Sequence, residues 1–145
     1  MASAVDPEEG VLVLVVEDDL LTQDIVRSAL EDAGFGVLIA STGAAAIELL
    51  EGSRGGAIRA VVTDVNLGRG NDGWQVARRA REIRPDMPLI YVTGGNSEEW
   101  AANGVPQSIL INKPFAPAQI VTAVSQALNA APPDAVAAKK TAASP

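Results

Sequence analysis

Cysteine and histidine are both absent from this 145-residue chain. Without cysteine there is no disulfide framework and no thiolate nucleophile or metal ligand. Without histidine the chain has no imidazole base, no imidazole ligand and no phosphohistidine of its own. A basic run is missing too. The formal charge is −7, which argues against nucleic acid or an anionic membrane as partner. No apolar run approaches the ~20 residues that span a bilayer. The opening MASAVDPEEG lacks the charged-then-apolar pattern of a secretion signal. A cytoplasmic location is expected, in keeping with the absence of cysteine.

What is present is a regular alternation. Nearly half the residues are apolar (48%), enough in a chain of this length for one domain with a sizeable core. Val11–Val16, VLVLVV, reads as a buried strand, because it is apolar without a break and rich in β-branched residues. Leu20–Ala33 carries apolar residues at helical spacing and stops at Gly34. Gly36–Ala40 is a second strand, and Ser41 or Thr42 can cap a helix bearing Ala45, Ala46, Leu49 and Leu50. Ile58–Thr63 is a third strand, Gly73–Ile83 a third helix and Leu89–Thr93 a fourth strand. Ser97–Ala102 is a short helix, Ser108–Ile111 a fifth strand, and Pro117–Asn129 a closing helix with proline at its first position.

Five such units predict an α/β fold: a doubly wound, five-stranded parallel sheet of order 2-1-3-4-5 with helices on both faces. Residues 1–10 are an N-terminal extension and 11–129 the domain. The Ala/Pro-rich 130–145 is expected to be a disordered tail.

A sheet of this kind places its site at the carboxyl ends of its strands. The first strand ends in Glu17, Asp18 and Asp19, the third in Asp64, the fourth in Thr93, and the fifth in Asn112 and Lys113. Strands one, three, four and five are neighbours in the predicted order, so these ends converge. Crowded carboxylates repel, and a hard divalent cation relieves that. A carboxylate can also attack phosphorus. A metal and a lysine would then hold the charge of the transferring group.

The motifs VVEDD (15–19), VVTDVN (61–66), YVTGG (91–95) and INKPF (111–115) together resemble the receiver domain of two-component response regulators. The likeness covers about Val11–Asn129, in the flavodoxin-like architecture. It implies Asp64 as phosphoacceptor and Asp18 as a direct ligand of Mg2+ (or Mn2+). Glu17 would bind the metal through water and Asn66 through its backbone carbonyl. Thr93 matches the hydroxyl that follows the phosphoryl group, Lys113 the lysine that pairs with it, and Pro114 a residue usually preceded by a cis bond. The implied partners are a histidine kinase or histidine phosphotransfer protein, and a downstream protein target. That target would bind the face made by the fourth helix, fifth strand and fifth helix. With only a short Ala/Pro-rich stretch after residue 129, no output domain is expected, and protein binding or a relay step is the expected output of the phosphorelay.

The chain departs from the family pattern in three places. The loop after Asp64, VNLGRGNDG, has Gly68 near the place of a usual proline. Leu110 stands where the family often has a switch aromatic, and Gly95 where a side chain often tunes phosphoryl loss. Two other classes stand beside this reading. One is an interaction module of the same fold that is never phosphorylated. The other is an aspartate-nucleophile phosphohydrolase, disfavoured because the second aspartate it needs is Asn66. Asp19 reads better as a helix cap than as a ligand. Trp74 reads as helix packing, Trp100 as either packing or a partner anchor, and Arg78, Arg79 and Arg81 as a solvated helix face.

Overall fold

The computed structural model describes residues 10–67, 72–95 and 97–130. Strands and helices alternate: β1 (Leu12–Val16), α1 (Leu20–Asp32), β2 (Gly36–Ala40), α2 (Gly43–Glu51), β3 (Ile58–Asp64), α3 (Gly73–Ile83), β4 (Leu89–Thr93), α4 (Ser97–Asn103), β5 (Ile109–Asn112) and α5 (Pro117–Leu128). All strand pairs are parallel, and the order is β2-β1-β3-β4-β5. This is the flavodoxin-like α/β arrangement expected from the alternation. The expectations for residues 1–9, for Gly68 and its neighbours to Asn71, and for 131–145 lie outside the described residues.

The strands lack polar alternation because both faces are covered. Every residue of β1 and β4 is buried. Leu12, Leu14, Val61, Leu89 and Tyr91 pack on one face with α2 and α3 residues such as Leu50, Val76 and Ala77. Val13, Val15, Val62, Ile90 and Val92 pack on the other with Val26, Leu30, Ile120 and Val124 from α1 and α5. Each such Val, Leu or Ile side chain contributes roughly 1.5–3 kcal/mol by leaving water. Two packed layers therefore hold the strand ends in fixed register.

The helix starts follow the local chemistry. Asp19 caps α1, its carboxylate accepting from the Thr22 N–H at 2.9 Å. Thr42, rather than Ser41, caps α2 through the Ala45 N–H at 3.0 Å. Asp72 and Gln75 form a reciprocal capping box at the start of α3. Next to it, Gly73 comes so close to β3 that a Cβ there would press on the Asp64 carbonyl oxygen and lie 2.8 Å from Val65 Cα. A glycine is required where the helix starts directly behind the aspartate.

β3 runs one residue further than expected, to Asp64, because the Val65 N–H still donates to Val92 O at 3.1 Å. The arginine face of α3 is not uniformly solvated. Arg78 is exposed, but Arg79 pairs with Glu51 and Glu82, and Arg81 is partly buried. The Arg81 guanidinium donates to Met87 O at 2.6 Å, Pro106 O at 2.7 Å and Gln107 O at 3.4 Å. Its long stem lets it reach across from α3 to the α4–β5 connection.

Candidate functional site

The carboxyl ends of β1, β3 and β5 bring four charged side chains together. Carboxylate oxygens of Glu17, Asp18 and Asp64 lie within 4.8 Å of one another. Lys113 Nζ reaches Asp64 Oδ2 at 2.8 Å and Glu17 Oε1 at 3.6 Å. The other oxygen of Asp64, Oδ1, accepts from the Asn66 N–H at 3.0 Å. Glu17 and Asp64 are buried, Lys113 is partly buried, and Asp18 faces solvent. A buried aspartate at a strand tip is tolerated because an ammonium and a backbone N–H both meet it.

Burial pushes the Glu17 carboxyl up to about 7. The Asp19 N–H, donating to Glu17 Oε2 at 2.9 Å, opposes that shift. The neighbouring Asp64 charge adds to it and Lys113 opposes it. For Lys113, burial works against the ammonium, but the Asp64 hydrogen bond and the two carboxylates outweigh it, and the net shift is upward. The site thus holds more negative charge than its one lysine neutralises. Three hard oxygen donors so close suit a divalent cation such as Mg2+. Mn2+ prefers the same ligands.

Thr93 ends β4, fully buried. It lies one residue beyond Val92, which is opposite Asp64 in the β3–β4 register. The Lys113 N–H donates to Thr93 O at 2.7 Å, so the backbones of these two residues are joined directly. The Lys113–Pro114 bond is cis. Asp19 does serve as a cap, and hydrogen bonds from Thr22 hold its carboxyl below the usual range. Trp74 is buried and its ring meets Tyr91 with centroids 4.7 Å apart. Trp100 is partly buried and donates to Ser108 Oγ at 2.9 Å. Leu110 packs beside the core cluster that contains Tyr91.

Three side chains make contacts that the motifs do not name, one of them at the site. Gln23 donates from Nε2 to the Glu17 carbonyl at 2.6 Å. The signal for it is a polar residue in the buried stripe Gln23, Val26, Leu30 of α1. Tyr91 and Arg81 both bind the α4–β5 connection, and nothing in the local pattern points to those partners.

An α/β sheet with a lysine-paired carboxylate cluster at its strand ends has the donors to hold a divalent cation and a cation to pair with an oxyanion. The sequence profile of the response regulator receiver domain matches residues 13–125. The chain belongs to that family, and is a receiver domain of two-component signalling. A solved response regulator receiver protein from Sinorhizobium medicae WSM419 is 51% identical, with a TM-score of 0.80, covering 85% of this chain and 98% of that one. Response regulator MprA of Mycobacterium sp. (strain KMS) is 30% identical over 126 residues, which are 86% of this chain and 53% of that protein. Sensor kinase CckA of Brucella abortus (strain 2308) is 34% identical over 129 residues, 86% of this chain but 13% of the kinase. The chain thus spans about half the length of the MprA relatives, and far less of the kinase. Receiver domains of this family bind Mg2+ at an acidic pocket and act in signalling rather than metabolic catalysis. No helix among the described residues is long and apolar enough to cross a membrane.

Proposed function

We propose that Asp64 accepts a phosphoryl group from a phosphohistidine on a partner histidine kinase or histidine phosphotransfer protein. The single observation that supports this most is the 2.8 Å pairing of Lys113 Nζ with Asp64 Oδ2, inside a cluster of three carboxylates. An Asp64 oxygen forms the new bond to phosphorus as the bond to the donor's imidazole nitrogen breaks, and the electron pair stays on that nitrogen. Lys113 then pairs with the phosphoryl oxygens in place of the carboxylate. The Thr93 hydroxyl is their second partner.

Asp18 and Asp64 would hold Mg2+ directly, Glu17 through water, and Asn66 by its backbone carbonyl. The donor set fits that ion, since all three side chains are hard oxygen ligands. When bound, Mg2+ supplies charge that offsets the phosphoryl oxygens. The receiver unit spans 11–129 and works in the cytoplasm. Movement of Thr93 and Lys113 is read out at the α4–β5–α5 face by a downstream protein target, as local charge changes are in bistable folds.

Intact-mass spectrometry after incubation with acetyl phosphate tests the reading. One phosphoryl group should be gained with Mg2+, lost with a chelator, and absent in Asp64→Asn. Turnover of a generic phosphate ester without a trapped adduct would favour the phosphohydrolase. No adduct, and no Mg2+-dependent response to beryllofluoride, would favour the interaction module.

A further inference from the structure

Glu17 and Asp18 leave the chain in the turn between β1 and α1. Their carboxylate oxygens and those of Asp64 lie within 4.8 Å of one another, and repel when ionised. A turn carrying that repulsion splays unless its backbone is braced. The Glu17 N–H is held by Ala40 O at 3.0 Å. The Glu17 carbonyl is held by Gln23 Nε2 at 2.6 Å.

Gln23 lies one turn into α1 and is only 8% exposed. Its stripe-mates are Val26 and Leu30, both buried apolar residues. An amide in such a stripe is costly unless its hydrogen bonds are made. The second Nε2 hydrogen goes to Ser41 Oγ at 3.0 Å, just past the end of β2. One side-chain amide therefore ties the ends of β1 and β2 together. It does so on the side of β1 away from β3 and Asp64. Lys113 grips Glu17 from the front, and Gln23 grips the same residue from behind.

We infer that Gln23 is a positioning residue for the acidic pair. It fixes the Glu17 carbonyl, and with it the direction in which the Glu17 and Asp18 carboxylates leave the turn. Mg2+ affinity then depends on a residue that never touches the ion. The inference rests on the proposed reading of the carboxylates as a Mg2+ site. Partners that orient metal ligands commonly matter this much: their loss costs about 10- to 100-fold in affinity.

The test is a calorimetric titration of the full chain with Mg2+ alone, comparing wild type with Gln23→Met. Methionine keeps the length and apolar burial but removes both donors. The expected result is a Kd raised about 10-fold, at a temperature where circular dichroism shows the variant folded. Raising Mg2+ by the same factor should then restore wild-type phosphorylation of Asp64, which a loss of packing alone would not allow. An unchanged Kd overturns the inference. Should Gln23→Met fail to fold, Ser41→Ala carries the test. That position is exposed, and the loss of its anchor should weaken Mg2+ binding a few-fold, with no change again overturning the inference. If wild type binds no Mg2+, or binds it equally well as Asp18→Asn, the metal reading itself falls. That outcome is distinct from a wild type that binds Mg2+ and a Gln23→Met variant that binds it as tightly.

Discussion

The Tyr91 hydroxyl accepts a hydrogen bond from the Val105 N–H at 3.0 Å, joining buried β4 to the connection that leaves α4. The carbonyl of the same Val105 accepts from Ser108 Oγ at 2.7 Å, and Ser108 Oγ accepts from Trp100 Nε1. One residue of the connection is thus held at both polar atoms by side chains. Tyr91→Phe keeps the ring contact with Trp74 but leaves the partly buried Val105 N–H without its acceptor. A loss of about 1–3 kcal/mol is expected in urea unfolding, together with a shift in tryptophan emission as Trp100 loses its ordered surroundings. An unchanged midpoint and spectrum would show that the bond contributes nothing.

Tyr91 also gives a pH signature. Burial raises its pKa above the ordinary 10.0, against smaller opposing effects of the Val105 hydrogen bond and the Arg81 charge. A raised value means that its contribution is intact below pH 10 and is lost as pH rises through the folded value, because the unfolded chain ionises first. It is the only tyrosine in the chain. Stability should therefore fall more steeply above pH 10 in wild type than in Tyr91→Phe. Equal slopes would mean that Tyr91 ionises equally easily in both states.

Arg81 and Arg78 lie on the same helix and should behave differently. Arg81→Ala removes donors from three carbonyls, at Met87, Pro106 and Gln107. It should cost about 1.5–3 kcal/mol, the range for hydrogen bonds to a charged group. Arg81→Lys should not restore it, because an ammonium cannot reproduce the planar fork. Arg78→Ala, at an exposed position, should stay within about 0.5 kcal/mol. Chemical denaturation of the three variants checks the contrast.

Mg2+ should stabilise the fold through the crowded carboxylates of Glu17, Asp18 and Asp64. At a free concentration 100 times Kd the gain should be about 2.7 kcal/mol. Asp18→Asn should lose most of that gain while folding normally without metal, since Asp18 faces solvent. Thermal unfolding with and without Mg2+ reads the difference. An equal gain in both proteins would place the ion elsewhere.

The strand ends were legible because their residues sit where uninterrupted apolar runs stop, and the sheet order follows from the alternation of runs. For that reason the sequence order alone places Glu17, Asp18, Asp64 and Lys113 at one end of the sheet. The Arg81 contact was not legible. Helical periodicity places its Cα on the outer face but says nothing of where a long side chain ends. In the sequence Tyr91 is one more residue of an apolar strand, with no sign that its hydroxyl serves a loop 14 residues away. β5 starts at Ile109 rather than Ser108. The Ser108 hydroxyl is engaged with Val105 O, and Gln107 before it takes a positive φ of 62°. Such tertiary turn chemistry leaves no mark in local composition.

The most direct test of Asp64 as phosphoacceptor is to locate the group. The protein would be treated with acetyl phosphate and Mg2+, reduced with borohydride and analysed as peptides by mass spectrometry. The account predicts conversion of residue 64 alone to homoserine, and no conversion when Mg2+ is withheld. Conversion at Asp18, or at any other carboxylate with residue 64 intact, would contradict it.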